Sequence, residues 1–584
     1  MGKRARFWGS REVALCLLAT TGCDCGVDTE GSGAVDGGSD DAAVADAESK
    51  DATKPHQDAR IDECVPGTAS CSNNKATYCR RDGTLAHYDC DPVQGLTCTA
   101  SGCDGYCDLS QVEQSYIGCD YYPTITLNPV WTGFPFAIAV ANASAEPTHV
   151  TITRGDTVVQ EADVAANALQ TFTLPWVPEL KGGELTGGTA PACTVPPARG
   201  DSRLVADGAY RVRTNQPVTV YQFSPLQYEL MDAPLCPTIM SQCQGSQLTQ
   251  CYSYSNDASL LLPATALTGN YTALSWPSQS AGSGFIAVTA VEDGTQVQVV
   301  GKGAFAAGAG ISSTGNGTAQ LNRGDVLELV AAPNGDVSGT RVRANKPVQV
   351  ISGHSCAFVP DANTLNCDHL EEVQFPEDTL GKKYVVPGVV YADGVSGSPS
   401  VVRIAAISDG THVTFTPSDI HAPATLNAGE FVEVALAATR NMVVEGDQPL
   451  LVAQYMVGQQ ALQNPNGVGD PSQSAAVSVE QFRRDYLFTA PLTYAVNLAT
   501  IIAEPGTDVV VDGQPIAESM FTEVGDYMVA TITLGGDANM PNSAVHTVSA
   551  NQKFGLIVYG YGLYTSYMYP GGADLARITI PILL

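Results

Sequence analysis

Residues 340–353 read TRVRANKPVQVISG, and their meaning depends on whether they occur once. Alone they are two alternating runs around Asn345-Lys346-Pro347, which is the pattern of two strands flanking a turn. The phrase recurs as YRVRTNQPVTVYQF from Tyr210, MVVEGDQPLLVAQY from Met442 and HTVSANQKFGLIVYG from His546. Pro217, Pro347 and Pro449 fix φ and offer no ladder donor, so each belongs at the start of a strand. Lys553 takes that place in the fourth copy. Recurrence of one phrase at open spacing is the signature of a repeat architecture.

Two further phrases repeat beside it. SAEPTHVTIT at Ser144, AVEDGTQVQV at Ala290, AISDGTHVTF at Ala406 and IAEPGTDVVV at Ile502 each run from a turn into a strand. Thr148, Thr295, Thr411 and Thr507 mark the strand entry, and alternating valines then share one face. LLLPATALTGNYTAL, VQFPEDTLGKKYVV and VSVEQFRRDYLFTA join successive units. In these, Pro263 and Tyr271, Pro376 and Tyr384, and Ser478 and Tyr486 stand eight apart, with Leu267, Leu380 or Phe482 midway. Helical periodicity is scarce. The expected fold is all-β, with four repeated antiparallel β-units of about eight strands each. These form either a closed propeller-like ring or a row of β-sandwiches. Closure would require the C-terminal strand near Tyr567–Tyr569 to supply the first unit's missing strand, beside Tyr121–Leu127.

The second copy of the joining phrase follows a stretch with three possible readings. SGHSCAFVPDANTLNCDHLEE, from Ser352 to Glu372, holds His354, Cys356, Cys367 and His369, an H-x-C…C-x-H that could bind zinc. It also holds Gly353-His354-Ser355-Cys356-Ala357, a partial nucleophile elbow. Ser355, however, ends a repeated β-strand and does not sit on a strand-to-helix turn. The reading adopted is a disulfide between Cys356 and Cys367, closing a loop worth about 2–3 kcal/mol. No catalytic residue, metal site or cofactor is assigned, since H-E-x-x-H, P-loop, G-x-S-x-G and dinucleotide motifs are absent. The tyrosines of VYGYGLYTSYMYPGG read as core and rim packing, and the acidic turns VEDG and ISDG as turn chemistry.

The N-terminus points to export. Lys3, Arg4, Arg6 and Arg11 precede a short apolar run, Val13–Ala19, that cannot span a bilayer. Residues 1–22 read as a signal peptide, and Thr20-Thr21-Gly22-Cys23 resembles a lipobox with Cys23 as the lipidated residue. Residues 23–63 lack aromatics and carry excess acid, the composition of a disordered stalk reaching roughly 35 Å. Residues 64–115 are a cysteine-rich module. Cys64, Cys71, Cys79, Cys90, Cys98, Cys103, Cys107 and Cys119 suit a disulfide framework whose pairing sequence does not choose. Cys193, Cys236, Cys243, Cys251, Cys356 and Cys367 suit three more bridges in the repeat domain, residues 116–584. A net charge of −31 argues against nucleic acid as a partner.

With these phrases assembled, the chain resembles bacterial lipoprotein members of the IgGFc-binding protein N-terminal domain family. The resemblance rests on YIGCDYYP at Tyr116, VYQFSPL at Val220 and SNDASLLLPATALTGNY at Ser255. It rests further on SGHSCAFVP…CDHLEE at Ser352 and GLIVYGYGLYTSYMYPGGADL at Gly555, and covers residues 116–578. It implies no catalytic residues. The expected function is a surface-displayed, non-enzymatic binding or adhesion lipoprotein with a protein or glycan ligand at the cell surface. Its membrane contact would be the lipid anchor alone, at the bacterial outer membrane or cell surface. The alternatives are a structural envelope or matrix component, and a hydrolase with an unrecognised site.

Overall fold

A computed structural model describes residues 64–79, 83, 85–108, 115–184, 200–230, 251–280, 282–364, 366–462, 467–535 and 544–578. The chain divides into two units, Met1–Arg60 and Ile61–Leu584, and every described residue lies in the second. The signal peptide, Cys23 and the whole stalk lie outside the described residues. So do Cys193, Cys236 and Cys243.

The described chain is nearly all β, and its order repeats four times. Each unit is two curled four-stranded sheets sharing one long strand. In the second unit that strand is Thr340–Ala357. Its first half pairs with Thr268–Ala273 and with Thr295–Val300. Its second half pairs with Gly284–Ala290 and with Asp368–Val373. The same role falls to Arg211–Phe223 in the first unit and Val545–Gly562 in the fourth. Only in the third is it interrupted, as Met442–Gly446 and Leu450–Met456. The phrase that reads as strand-turn-strand is therefore a bend within one strand in three units. The ladder register slips where this sequence passes, in the fourth unit as well, where Lys553 stands in place of the proline. Alternation does the rest: Tyr271, Val297, Val299 and Val342 of one sheet meet Ile286, Val288, Leu329 and Val350 of the other in a dry core.

Repeated side-chain bonds hold the bend. Asn215, Asn345, Asp447 and Asn551 each accept, through Oδ1, the N–H of His149, Gln296, His412 and Asp508, at 2.8–3.0 Å. Three residues after Asn215, Asn345, Asp447 and Asn551, a tyrosine from the joining strand fixes the backbone. Tyr121, Tyr271, Tyr384 and Tyr486 donate their hydroxyls to the carbonyls of Val218, Val348, Leu450 and Phe554. The joining phrase folds as a single 3₁₀ turn each time, capped by Pro263, Pro376 or Ser478 and ended by Leu267, Leu380 or Phe482.

The last strand of each unit lines the axis: Ala258–Leu260, Asp368–Val373, Ser472–Ala475 and Thr565–Pro570. Each packs on the next, and the fourth returns to the first. The units thus form a ring of sandwiches. The closing device differs from expectation, because Thr565–Pro570 pairs with its own long strand. The first unit is already complete, with Gly118–Tyr121 and Ala258–Leu260 both paired to Arg211–Phe223. Closure comes from packing and single bonds. Tyr116 N–H donates to the Ala573 carbonyl at 3.3 Å, the Tyr221 hydroxyl to the Leu487 carbonyl at 3.1 Å, and Tyr221 packs on Tyr569 at 4.9 Å. Between the second and third units, buried Arg403 bonds Asp336 and Glu433 and lies over Trp276 and Phe431.

The cysteine-rich stretch is held to this ring. Its eight cysteines pair as Cys64–Cys79, Cys71–Cys98, Cys90–Cys103 and Cys107–Cys119. The last bridge crosses the expected boundary at residue 115. Asp91 pairs with Arg213 at 2.9 Å, and Gln94 Nε2 donates to the Cys119 carbonyl.

Candidate functional site

The stretch with three readings occupies the inner end of the second unit. Cys356 and Cys367 sulfurs are 1.98 Å apart, so they are bonded to each other. His354 Nδ1 accepts the Cys356 N–H at 3.1 Å, and burial holds that imidazole neutral, down to about 3. His369 stacks on Phe285 and lies 3.3 Å from both Glu371 Oε2 and Thr126 Oγ1. The two histidines and two cysteines do not meet at one point. Ser355 Oγ accepts the Ser283 N–H, a sheet contact with no base beside it. Cys251 pairs through its backbone with Leu230.

What sequence reasoning missed is the acid at the axis. Asp257, Asp368, Glu371, Glu372 and Asp470 are all buried, at 0–2% exposure. Asp257, Asp368 and Asp470 open or shortly precede three axis strands, Glu371 and Glu372 lie later in the second, and all but Asp470 accept bonds from another unit. Asp257 of the first unit accepts from Glu371 N of the second, and from Ser472 Oγ and Gln473 N of the third, at 2.8–3.1 Å. Asp368 of the second accepts from Asn256 N of the first and Thr565 Oγ1 of the fourth, at 2.7 and 2.8 Å. Among the described residues the Asp470 carboxylate is bonded by Gln459, at 3.3 and 3.4 Å. Among the described residues no lysine or arginine bonds any of the five. Burial therefore pushes Asp257, Asp368 and Glu372 well above the usual carboxylate range, against the donors they accept, and Asp470 up to about 8. The available signal was an acidic residue at or just before three of the four axis strands, in SNDA, CDHLEE and GDPS.

Two connections from every unit gather at the end of the axis where these acids lie. One precedes each axis strand and the other precedes the strand paired to the long strand's inner half. They interlock. Gly458 N–H donates to Val359 O at 3.0 Å, Gly469 N–H to Gly562 O at 2.9 Å, and the Tyr391 hydroxyl to Val468 O at 3.2 Å. Tyr252, Tyr254 and Tyr564 pack as a triangle with centroids 5.3–5.9 Å apart, and Tyr228 meets Tyr494. Tyr254, Tyr391 and Tyr564 are half-buried, while Val395 and Leu492 stand 84% and 54% exposed on neighbouring connections. This mouth is aromatic and apolar over an acidic axis.

Comparison with known proteins points to one family. A family model described as IgGFc binding protein matches residues 257–560, more than half of the chain. A human protein named IgGFc-binding protein is 26% identical over 341 residues, which is 56% of this chain. The chain spans 6% of that relative's length. No solved structure matches. The matched residues run from Asp257, the first axis carboxylate, to Gly560 near the end of the last long strand; the chain belongs to the IgGFc-binding protein family.

Proposed function

We propose that the protein binds a protein or glycan partner through the mouth of the ring and carries out no chemistry. The observation that carries this reading is the exposure of Val395 and Leu492 beside half-buried Tyr254, Tyr391 and Tyr564. Apolar and aromatic groups presented together on a rigid frame mark an interaction surface, and aromatic anchors dominate binding energy. Membership of a family described by binding supports it. The remaining assignments join it as proposals: residues 1–22 as a signal peptide, lipidated Cys23 at the outer membrane or cell surface, and 23–63 as a stalk. The module, 64–115, then presents the repeat domain, 116–584.

The test is capture on the full exported chain against a glycan array and envelope extracts. Val395→Glu with Leu492→Glu should weaken a saturable interaction at least tenfold without moving the melting temperature. Val158→Glu, on an exposed outer strand, should leave it unchanged. Equal loss in both variants would mean that the mouth is not the site. Cys23→Ala should release the chain from membranes.

A further inference from the structure

We propose that protons hold the axis of the ring, so that the carboxylates make the mouth tighten in mild acid and loosen as pH rises. The argument begins with charge. Five carboxylates are buried at the axis, and a buried charge persists only when a counter-charge or several donors offset its lost hydration. Asp257 and Asp368 each have three or more donors. Among the described residues Asp470 has one partner residue, at long distance, and Glu372 has two backbone N–H groups, one at 3.4 Å.

The groups facing one another are acids or neutral. Asp470 of the third unit faces Asp368 of the second, and Glu372 of the second faces Asp257 of the first. From the fourth unit come Thr565, Ser566 and Tyr494, whose buried hydroxyl lies near both Asp368 and Asp257. Gln459 and Gln473 complete the third unit's side. His369 and Glu371 project from the other face of their strand, toward Thr126 and Gln222. Buried carboxylates that repel one another with no cation between them resist joint ionisation, so each pair holds a proton more tightly than solvent-exposed acids do. Asp470 also belongs to the connection that holds the mouth together through Gly469 and Val468. Ionising it places an unpaired charge under that connection.

The sign follows from the direction of the shifts. Folded-state values above the unfolded ones mean that the native ring binds more protons between about pH 4 and the folded value, which is about 8 for Asp470. Stability then falls as pH rises through that window. His354, held neutral by burial, contributes the opposite slope, but only below about pH 6.5. Buried Lys181, held down to about 8, opposes it only above that pH. The diagnostic interval is therefore pH 6.5 to 8.5. This inference does not depend on what the mouth binds.

The experiment measures melting temperature of the full exported chain across that interval, with Asp470→Asn as the variant. The wild type should lose roughly 3–8 °C between pH 6.5 and 8.5. Asp470→Asn should lose less than half as much and melt higher than wild type at pH 8.5. An unchanged slope in the variant overturns the proposal. A millimolar calcium arm at pH 8.5 separates protons from a cation. A wild-type rise that Asp470→Asn abolishes would show that a metal, not protons, neutralises the axis. Should the variant not fold, carboxyl carbon shifts of wild type decide instead. At least one carboxyl titrating above pH 7 supports the proposal, and all titrating below pH 5 overturns it.

Discussion

Tyr271 shows how much one hydroxyl can specify. Its ring fills the sandwich core while its oxygen reaches the carbonyl of Val348 at 2.7 Å, just beyond the proline of the bend. Thr268 stands opposite Val348, and its N–H reaches the same hydroxyl at 3.3 Å, so the tyrosine bridges two buried backbone groups where the register slips. Tyr271→Phe should cost roughly 1–3 kcal/mol by denaturant unfolding. A change below about 0.5 kcal/mol would mean that water replaces the bond. Arg403 acts between units. Its guanidinium is 3% exposed, but Asp336 and Glu433 reach solvent at 27% and 45%. Arg403→Met should therefore lose about 2–3 kcal/mol, at the low end for a buried pair, because the stranded carboxylates can hydrate. Greater loss would imply that packing on Trp276 and Phe431 dominates.

At the scale of the element, the bent strand is the device that joins two sheets. Proline suits the bend because its neighbours there have no register partner, as the gap between Asp485↔Ser549 and Arg483↔Phe554 shows in the fourth unit. Lys553 occupies the proline position of that unit, and its exposed ammonium contacts Asp574 at 3.3 Å. Such a contact is worth little in water. Lys553→Pro should leave stability unchanged or raise it by about 0.5–1 kcal/mol through a less flexible unfolded chain. A loss above about 1 kcal/mol would show that the fourth bend has its own geometry. The Cys356–Cys367 bridge anchors the end of another long strand. Cys356→Ser with Cys367→Ser should cost about 2–3 kcal/mol, read from the unfolding midpoint under non-reducing conditions. An equal loss for Cys356→Ala with Cys367→Ala would assign it to the bond itself.

Across the whole ring, closure is noncovalent and rests on tyrosine. Tyr116, Tyr221, Tyr486, Tyr567 and Tyr569 meet where the fourth unit returns to the first. A double-mutant cycle on Tyr221→Ala and Tyr569→Ala should show coupling of about 0.5–1.5 kcal/mol, which a row of separate sandwiches would lack. Ending the chain after Tyr564 removes the last axis strand and exposes the edges of its neighbours. One cooperative melt should then split or broaden, as expected when a ring becomes an open array.

Much of this architecture was legible because the repeats are written in local chemistry. Valine alternation, the Asn-x-Pro bend, the capping proline and the tyrosine eight residues on are short-range patterns. They set strand, turn and unit number without reference to distant residues. The bend was still misread as a turn, since sequence does not distinguish a strand that bends from one that stops. The axis carboxylates were invisible for a deeper reason. Asp257, Asp368, Glu372 and Asp470 are far apart in the chain, and an acid at the head of a strand is usually solvated. Only closure of the ring brings them together and excludes water. The local sequence thus determined the units; the tertiary structure alone decided that their acidic ends would share one buried axis, where lost hydration becomes the governing energy.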